Sequence, residues 1–249
     1  MSGPWGSNFL IDDTTDGPVQ LGQLDAKQFV LRSRIEFTGD MGLPAEKYAH
    51  ITDSMKKDAA ILVPGERSDL ASVPPFMRWF ANPYGEYTPA ALIHDKLIVD
   101  EPNGGPLKDD AASDRFFRFM LESVGVPYFK RWIMWAAVAL RTRWAVGGWR
   151  RIGLVAWVVL AAIGIWAFGV AAVSIVWDTA TPGDIGAWAL LGISVVMPFA
   201  AGALWGKQWG ASLVAAIAAP WILPPTILAV LGTGIYLALE WVGKLVSGE

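Results

Sequence analysis

From Ile152 onward the sequence is almost continuously apolar, and this stretch limits the possible architectures more than any motif does. Ile152 to Trp177 is about 26 residues without a formal charge, Ile185 to Gly206 about 22, and Gln208 to Leu239 about 32. Each exceeds the roughly 20 apolar residues with which a helix crosses a bilayer. No polar face is available to meet water, so a transmembrane region is expected rather than a soluble helical bundle. The expected spans are about 152–177, 185–206 and 209–239. Pro220 and the pair Pro224-Pro225 interrupt the third, which reads equally as one kinked span or as a re-entrant hairpin of two half-helices.

Tryptophan punctuates these blocks at 157, 166, 177, 188 and 205, and its ring with one wet N–H suits the membrane interface. Arg141, Arg143, Arg150 and Arg151 precede the first block, whereas the loop after it, D-T-A-T-P-G-D, carries only acids at Asp178 and Asp184. The positive-inside rule then places the N-terminal half and Lys207 in the cytoplasm, and the two acids outside. The spans carry no ionisable residue, which points to an anchor rather than an ion or proton pathway. The lipid bilayer is therefore the expected partner. The location expected is the cytoplasmic membrane of a bacterial host, with several crossings.

The net charge of −3 averages two unlike halves and carries little information about partners. No basic tract interleaved with aromatic residues is present, so nucleic-acid binding is not expected. Cysteine is absent, which excludes disulfides, thiolate catalysis and cysteine-ligated metal sites. The first residues lack a charged segment followed by an apolar one, so no signal peptide is expected.

The first half reads as an α+β domain, 28–149, after a tail of 1–27 and before an anchor of 150–249. Gln28 to Thr38 alternates as one strand with a slip in register, and Ala59 to Val63 as a short strand closed by Pro64-Gly65. Asp69 to Pro75 reads as a loop, and Phe76 to Ala81 as a short helical turn. Thr88-Pro89 is a helix start, with Thr88 as the cap. A second helix should begin at Asp109 or Asp110 and stop at Gly125, and a third should run from Tyr128 to Val146. The domain core is then a hairpin of two antiparallel helices over small strands.

That hairpin carries the chemistry. Its first helix, closed by Pro102-Asn-Gly-Gly-Pro106, holds T-P-A-A-L-I-H-D-K-L-I-V-D with His94-Asp95 in its middle, and its second holds A-S-D-R-F-F, with Asp114. Successive helical positions point about 100° apart. His94 and Asp95 therefore serve different targets, one suited to activating a water and the other to holding a metal. Plainer readings stand beside these. His94 can be a core imidazole satisfied by a carboxylate, Asp114 can pair with Arg118 one turn on, and Asp69 can cap a turn. Asp109 and Asp110 read as helix caps and His50 as a solvated loop residue. Two distant histidines without an H-E-x-x-H cluster leave too few ligands for a zinc peptidase.

The ordered set S-D-L-A-S-V-P at Ser68 to Pro74, G-E-Y-T-P-A-A at Gly85 to Ala91, His94-Asp95, S-D-R-F-F at Ser113 to Phe117 and R-W-I-M-W-A-A-V at Arg131 to Val138 resembles a known family. It is the mostly phage and prophage family called domain of unknown function 1353, and the resemblance covers roughly Ala59 to Trp149. More distantly, the order Asp69, His94-Asp95, Asp114-Arg-Phe-Phe is similar to the core of prokaryotic phospholipase A2. That second resemblance implies a calcium-dependent hydrolase of phospholipid acyl esters. Within it His94 would be the general base and Asp114 its orienting acid. Asp69, Asp95 and the carbonyl of Leu70 would hold the calcium ion, which favours hard oxygen ligands. The other expectation is a non-catalytic phage or prophage membrane protein acting in lysis, exclusion or assembly.

Overall fold

A computed structural model describes residues 4–25, 28–68, 85–100, 107, 110–181 and 185–247. The expected loop at Asp69 to Pro75, the turn at Phe76 to Ala81, and Asp109 and Asp184 lie outside them.

Among the described residues six short strands open the chain: β1 (Phe9–Ile11), β2 (Leu21–Gln23), β3 (Phe29–Leu31), β4 (Ile35–Phe37), β5 (Ile61–Leu62) and β6 (Arg67–Ser68). They form two antiparallel sheets, ordered β1-β4-β5 and β2-β3-β6. Pairing therefore begins well before Gln28, and the first 27 residues contribute a strand to each sheet. The single strand expected at Gln28 to Thr38 is two strands in different sheets. The apparent slip in its alternation is the crossing point. There the buried Ser33 hydroxyl accepts from the Gln20 amide and donates to the Pro18 carbonyl, 2.8 and 3.2 Å away. A polar side chain satisfied in this way can sit in the core at the chain's change of sheet.

Between β4 and β5 runs α1 (Asp53–Ala59), whose cap Thr52 accepts from the Met55 amide, with Asp53 in the first turn and Lys56 and Lys57 in the last. All three charges complement the helix dipole. The hairpin follows as α2 (Thr88–Asp95) and α3 (Asp110–Ser123), and α2 continues into a π-helical turn over Lys96–Asp100. Thr88 lies inside α2, not at its cap. Its hydroxyl accepts from the Gly85 amide upstream, so it closes the preceding turn instead. Phe9, Phe37 and Phe116 stack in sequence, 5.0 and 5.4 Å between ring centroids, and lock the first sheet onto α3.

Next comes α4 (Tyr128–Val146), with the bounds expected, between Pro127 and Gly147. Gly147 and Gly148, at φ +74° and +54°, reverse the chain into α5 (Gly148–Trp177). Then follow α6 (Ala187–Ala203), a 3-10 turn at Gly206–Gln208, and α7 (Trp209–Ser247).

Two helical stretches, Gly148–Trp177 and Pro224–Leu245, are long and apolar enough to cross a membrane, where three were expected. The second expected span is cut short. Its helix α6 has 17 residues, about 25 Å at 1.5 Å per residue, against a hydrocarbon core of roughly 30 Å. At its end the chain turns through Gly206 at φ +53° into the 3-10 turn. The third block lies within one uninterrupted helix of 39 residues that runs through Pro220, Pro224 and Pro225, so the hairpin alternative does not form. Arg151 also lies inside α5, since its helix starts three residues before that arginine.

The two halves of the chain are packed together. Trp135, Ala136 and Ala139 of α4 share a buried cluster with Leu154 and Trp157 of α5, Ala201 of α6, Trp205, and Ala211 and Ala216 of α7. The α6–α7 turn lies against the N-terminal domain, with the Lys207 ammonium 5.8 Å from the Tyr48 ring centroid.

Candidate active site

His94 sits in the last turn of α2, and Asp114 in the second turn of α3, twenty residues downstream. The hairpin brings them together: the imidazole Nε2 is 3.0 Å from Asp114 Oδ1. Phe117 packs on the imidazole at 4.8 Å between ring centroids. The ring is 2% exposed and the carboxylate fully enclosed.

Three donors converge on Asp114. Besides His94, the Thr142 hydroxyl of α4 donates to Oδ1 at 3.0 Å, and the Gln208 side-chain amide donates to Oδ2 at 2.6 Å. Arg143 donates in turn to the Gln208 carbonyl oxygen at 3.3 Å. The direction of this relay is fixed by chemistry. Guanidinium has no acceptor and carboxylate no donor, so the amide must present its oxygen to Arg143 and its NH2 to Asp114. Burial pushes the Asp114 carboxyl above the usual aspartate range, and the bonds from His94 and Thr142 oppose that rise.

Asp114 does not pair with Arg118. That guanidinium lies over the rings of Trp132 and Trp135, at 4.3 and 4.6 Å from their centroids. Arg143, grouped in the sequence with the basic flank of the first span, is buried. It donates to the Leu204 and Trp205 carbonyls just past the end of α6 and lies over the Trp205 ring. A cation is favoured there, where the last helical carbonyls lack partners. Arg150 pairs with Asp110, the first residue of α3, and Arg151 donates to the Trp144 carbonyl.

Asp95 faces elsewhere, as the helical spacing requires. Its Oδ2 accepts from the Ser68 hydroxyl of β6 at 2.6 Å, and its Oδ1 is 3.8 Å from the Arg141 guanidinium. Asp69 and Leu70, its partners in the calcium cradle, lie outside the described residues. Among the described residues no three acidic or histidine side chains group as a metal site. His50 is exposed beside Tyr48.

Sequence reasoning missed Thr142, Arg143 and Gln208. For Gln208 a signal existed: it is the sole amide side chain in the apolar half of the chain. A lone side-chain amide among apolar residues has to find a buried partner. Thr142 carried no comparable signal.

Residues 47–138 match a family model described as protein of unknown function, DUF1353. The match includes His94, Asp95 and Asp114 and ends before Thr142, Arg143 and Gln208. No curated protein and no solved structure matches the chain.

Proposed function

We propose that the chain is a membrane-anchored hydrolase of lipid acyl esters, on the ground that residues 47–138, which match the DUF1353 model, carry a buried His–Asp pair on two hairpin helices. The observation that carries this reading is the 3.0 Å contact of His94 with Asp114, made by two helices that enclose both side chains. With its Nε2–H donated to the Asp114 carboxylate, a neutral imidazole bears its lone pair on Nδ1. Nδ1 takes a proton from water as the water oxygen bonds to the ester carbonyl carbon. The tetrahedral intermediate collapses with cleavage of the C–O bond to the alcohol. The imidazolium returns its proton to the departing alkoxide, leaving a fatty acid and a lysolipid. Asp114 holds the ring in one tautomer and stabilises its cationic form, the role of the acid in a triad whose nucleophile is water.

Two helices with the length and apolarity to cross a membrane support placing this reaction at a bilayer. We place the N-terminal domain on the cytoplasmic side, with Arg150 and Arg151 at the membrane entry of α5.

The test uses the full chain in lipid nanodiscs containing phospholipid labelled in its acyl chains. Fatty-acid release should appear in wild type and fall at least a hundredfold in His94→Ala. Running the assay with added calcium and with a chelator decides whether Asp69, Leu70 and Asp95 complete an ion site. No release under either condition, or equal release by His94→Ala, would refute the hydrolase.

A second reading is a non-catalytic membrane protein in which the pair is a structural joint. The burial of the ring and the three donors on Asp114 favour it. It is the outcome if His94→Ala loses stability and neither form releases fatty acid.

A further inference from the structure

Gln208 stands apart from the rest of the site. It comes 94 residues after Asp114, beyond the DUF1353 segment, from the 3-10 turn between two apolar helices. Yet it makes the shortest bond to the Asp114 carboxylate, at 2.6 Å to Oδ2, while His94 and Thr142 share Oδ1. Its own amide is held from behind by Arg143, which is fixed to the carbonyls that follow α6.

We propose that Gln208 is a positioning residue for the His94–Asp114 pair, so that the apolar half of the chain completes the site it carries. The physical reason is geometric. A carboxylate held at one oxygen can rotate about its Cβ–Cγ bond, whereas one held at both oxygens from different directions cannot. His94 and Thr142 bond the same oxygen, and Gln208 alone of these three bonds the other. Locking Oδ2 fixes the direction in which Oδ1 faces His94, and with it the plane and tautomer of the imidazole. Arg143 fixes which end of the Gln208 amide faces Asp114. The pair is thereby tied to the α6–α7 turn, and any displacement of those helices relative to α3 reaches His94 through one side chain.

The inference rests on the hydrolase reading for its chemical meaning, but its principal test observes His94 directly. The full chain, with histidine labelled in its ring nitrogens, is placed in nanodiscs and followed by magnetic resonance. The chain has two histidines, so exposed His50 is an internal control. In wild type the His94 Nε2–H should resonate far downfield and exchange slowly with water. Gln208→Met keeps the side-chain length and removes the donor. In that variant the His94 proton should move upfield and exchange at least tenfold faster, with His50 unchanged.

Gln208→Asn, which is too short to reach both Arg143 and Asp114, should behave alike and serves if the methionine variant does not fold. A His94 signal identical to wild type in either folded variant overturns the proposal. If fatty acid is released, the same variants should lower kcat about ten- to a hundredfold with KM unchanged. Absence of release in wild type with an altered His94 signal in Gln208→Met would remove the hydrolase and leave Gln208 as the residue that positions the pair.

Discussion

Asp114 is fully buried, so its charge state depends on the side chains packed around it. Burial raises its pKa, and the folded chain then holds the proton more tightly than the unfolded chain does. The Asp114 contribution to stability is therefore complete below the ordinary aspartate value and is lost as pH rises through the folded one. His94, Thr142, Gln208, Asp110 and Arg143 are the polar and charged neighbours that set where this loss falls. Asp114→Asn has no proton to lose, so melting temperature plotted against pH should decline less in that variant than in wild type. Parallel curves would contradict the assignment. Thr142→Val keeps the shape and deletes one donor to the buried carboxylate. It should cost about 1.5–3 kcal/mol in detergent unfolding, the usual range for a hydrogen bond to a charged group. His94 and Asp114 were legible in the sequence, because an H-D pair within an apolar helical stretch and an acid just before two phenylalanines are local patterns. Gln208 was not, because its partner is chosen across space.

Among the elements, those bounded by local chemistry were read to within a residue. Pro127 and Gly147 bracket α4, and Gly125 ends the stretch after α3 with a left-handed φ of +81°. Strand pairing was read less well. Two three-residue strands around Ser33 look like one interrupted strand, since alternation does not record which sheet each half joins. The α4–α5 reversal is a sharp feature of the fold. Gly147 combines φ +74° with ψ −152°, a region nearly closed to residues with a Cβ. Gly147→Ala should lower stability by about 1–3 kcal/mol, seen as a fall in melting temperature of the detergent-solubilised chain. An unchanged melting temperature would mean that the turn relaxes without strain.

Taken as one body, the chain joins its N-terminal domain to apolar helices through a shared core and a polar relay, not through a loose tether. Lys207 against Tyr48 and Gln208 against Asp114 put the α6–α7 turn beside the N-terminal domain. Absence of native cysteine makes sidedness directly measurable. In the proposed orientation, Asp178→Cys at the far end of α5 should react with a membrane-impermeant maleimide in intact cells. Ser7→Cys in the N-terminal domain should react only after permeabilisation. The reverse pattern would invert the orientation, and labelling of both in intact cells would deny that α5 crosses the membrane.

Composition and local pattern were enough to give an apolar half with helices of bilayer length, a mixed domain of small strands and a helical hairpin, and the candidate pair His94 and Asp114. Each of these follows from interactions within a turn or two of chain, or from the transfer of apolar side chains out of water, and both are recorded in residue order. Three-dimensional packing supplied the rest: that α6 stops short of a full span, that Arg143 is a buried clamp, and that Gln208 closes the site. A buried charge must be satisfied by whichever donors the fold brings within about 3 Å. Which donors those are depends on how distant helices pack, and linear order does not encode that choice.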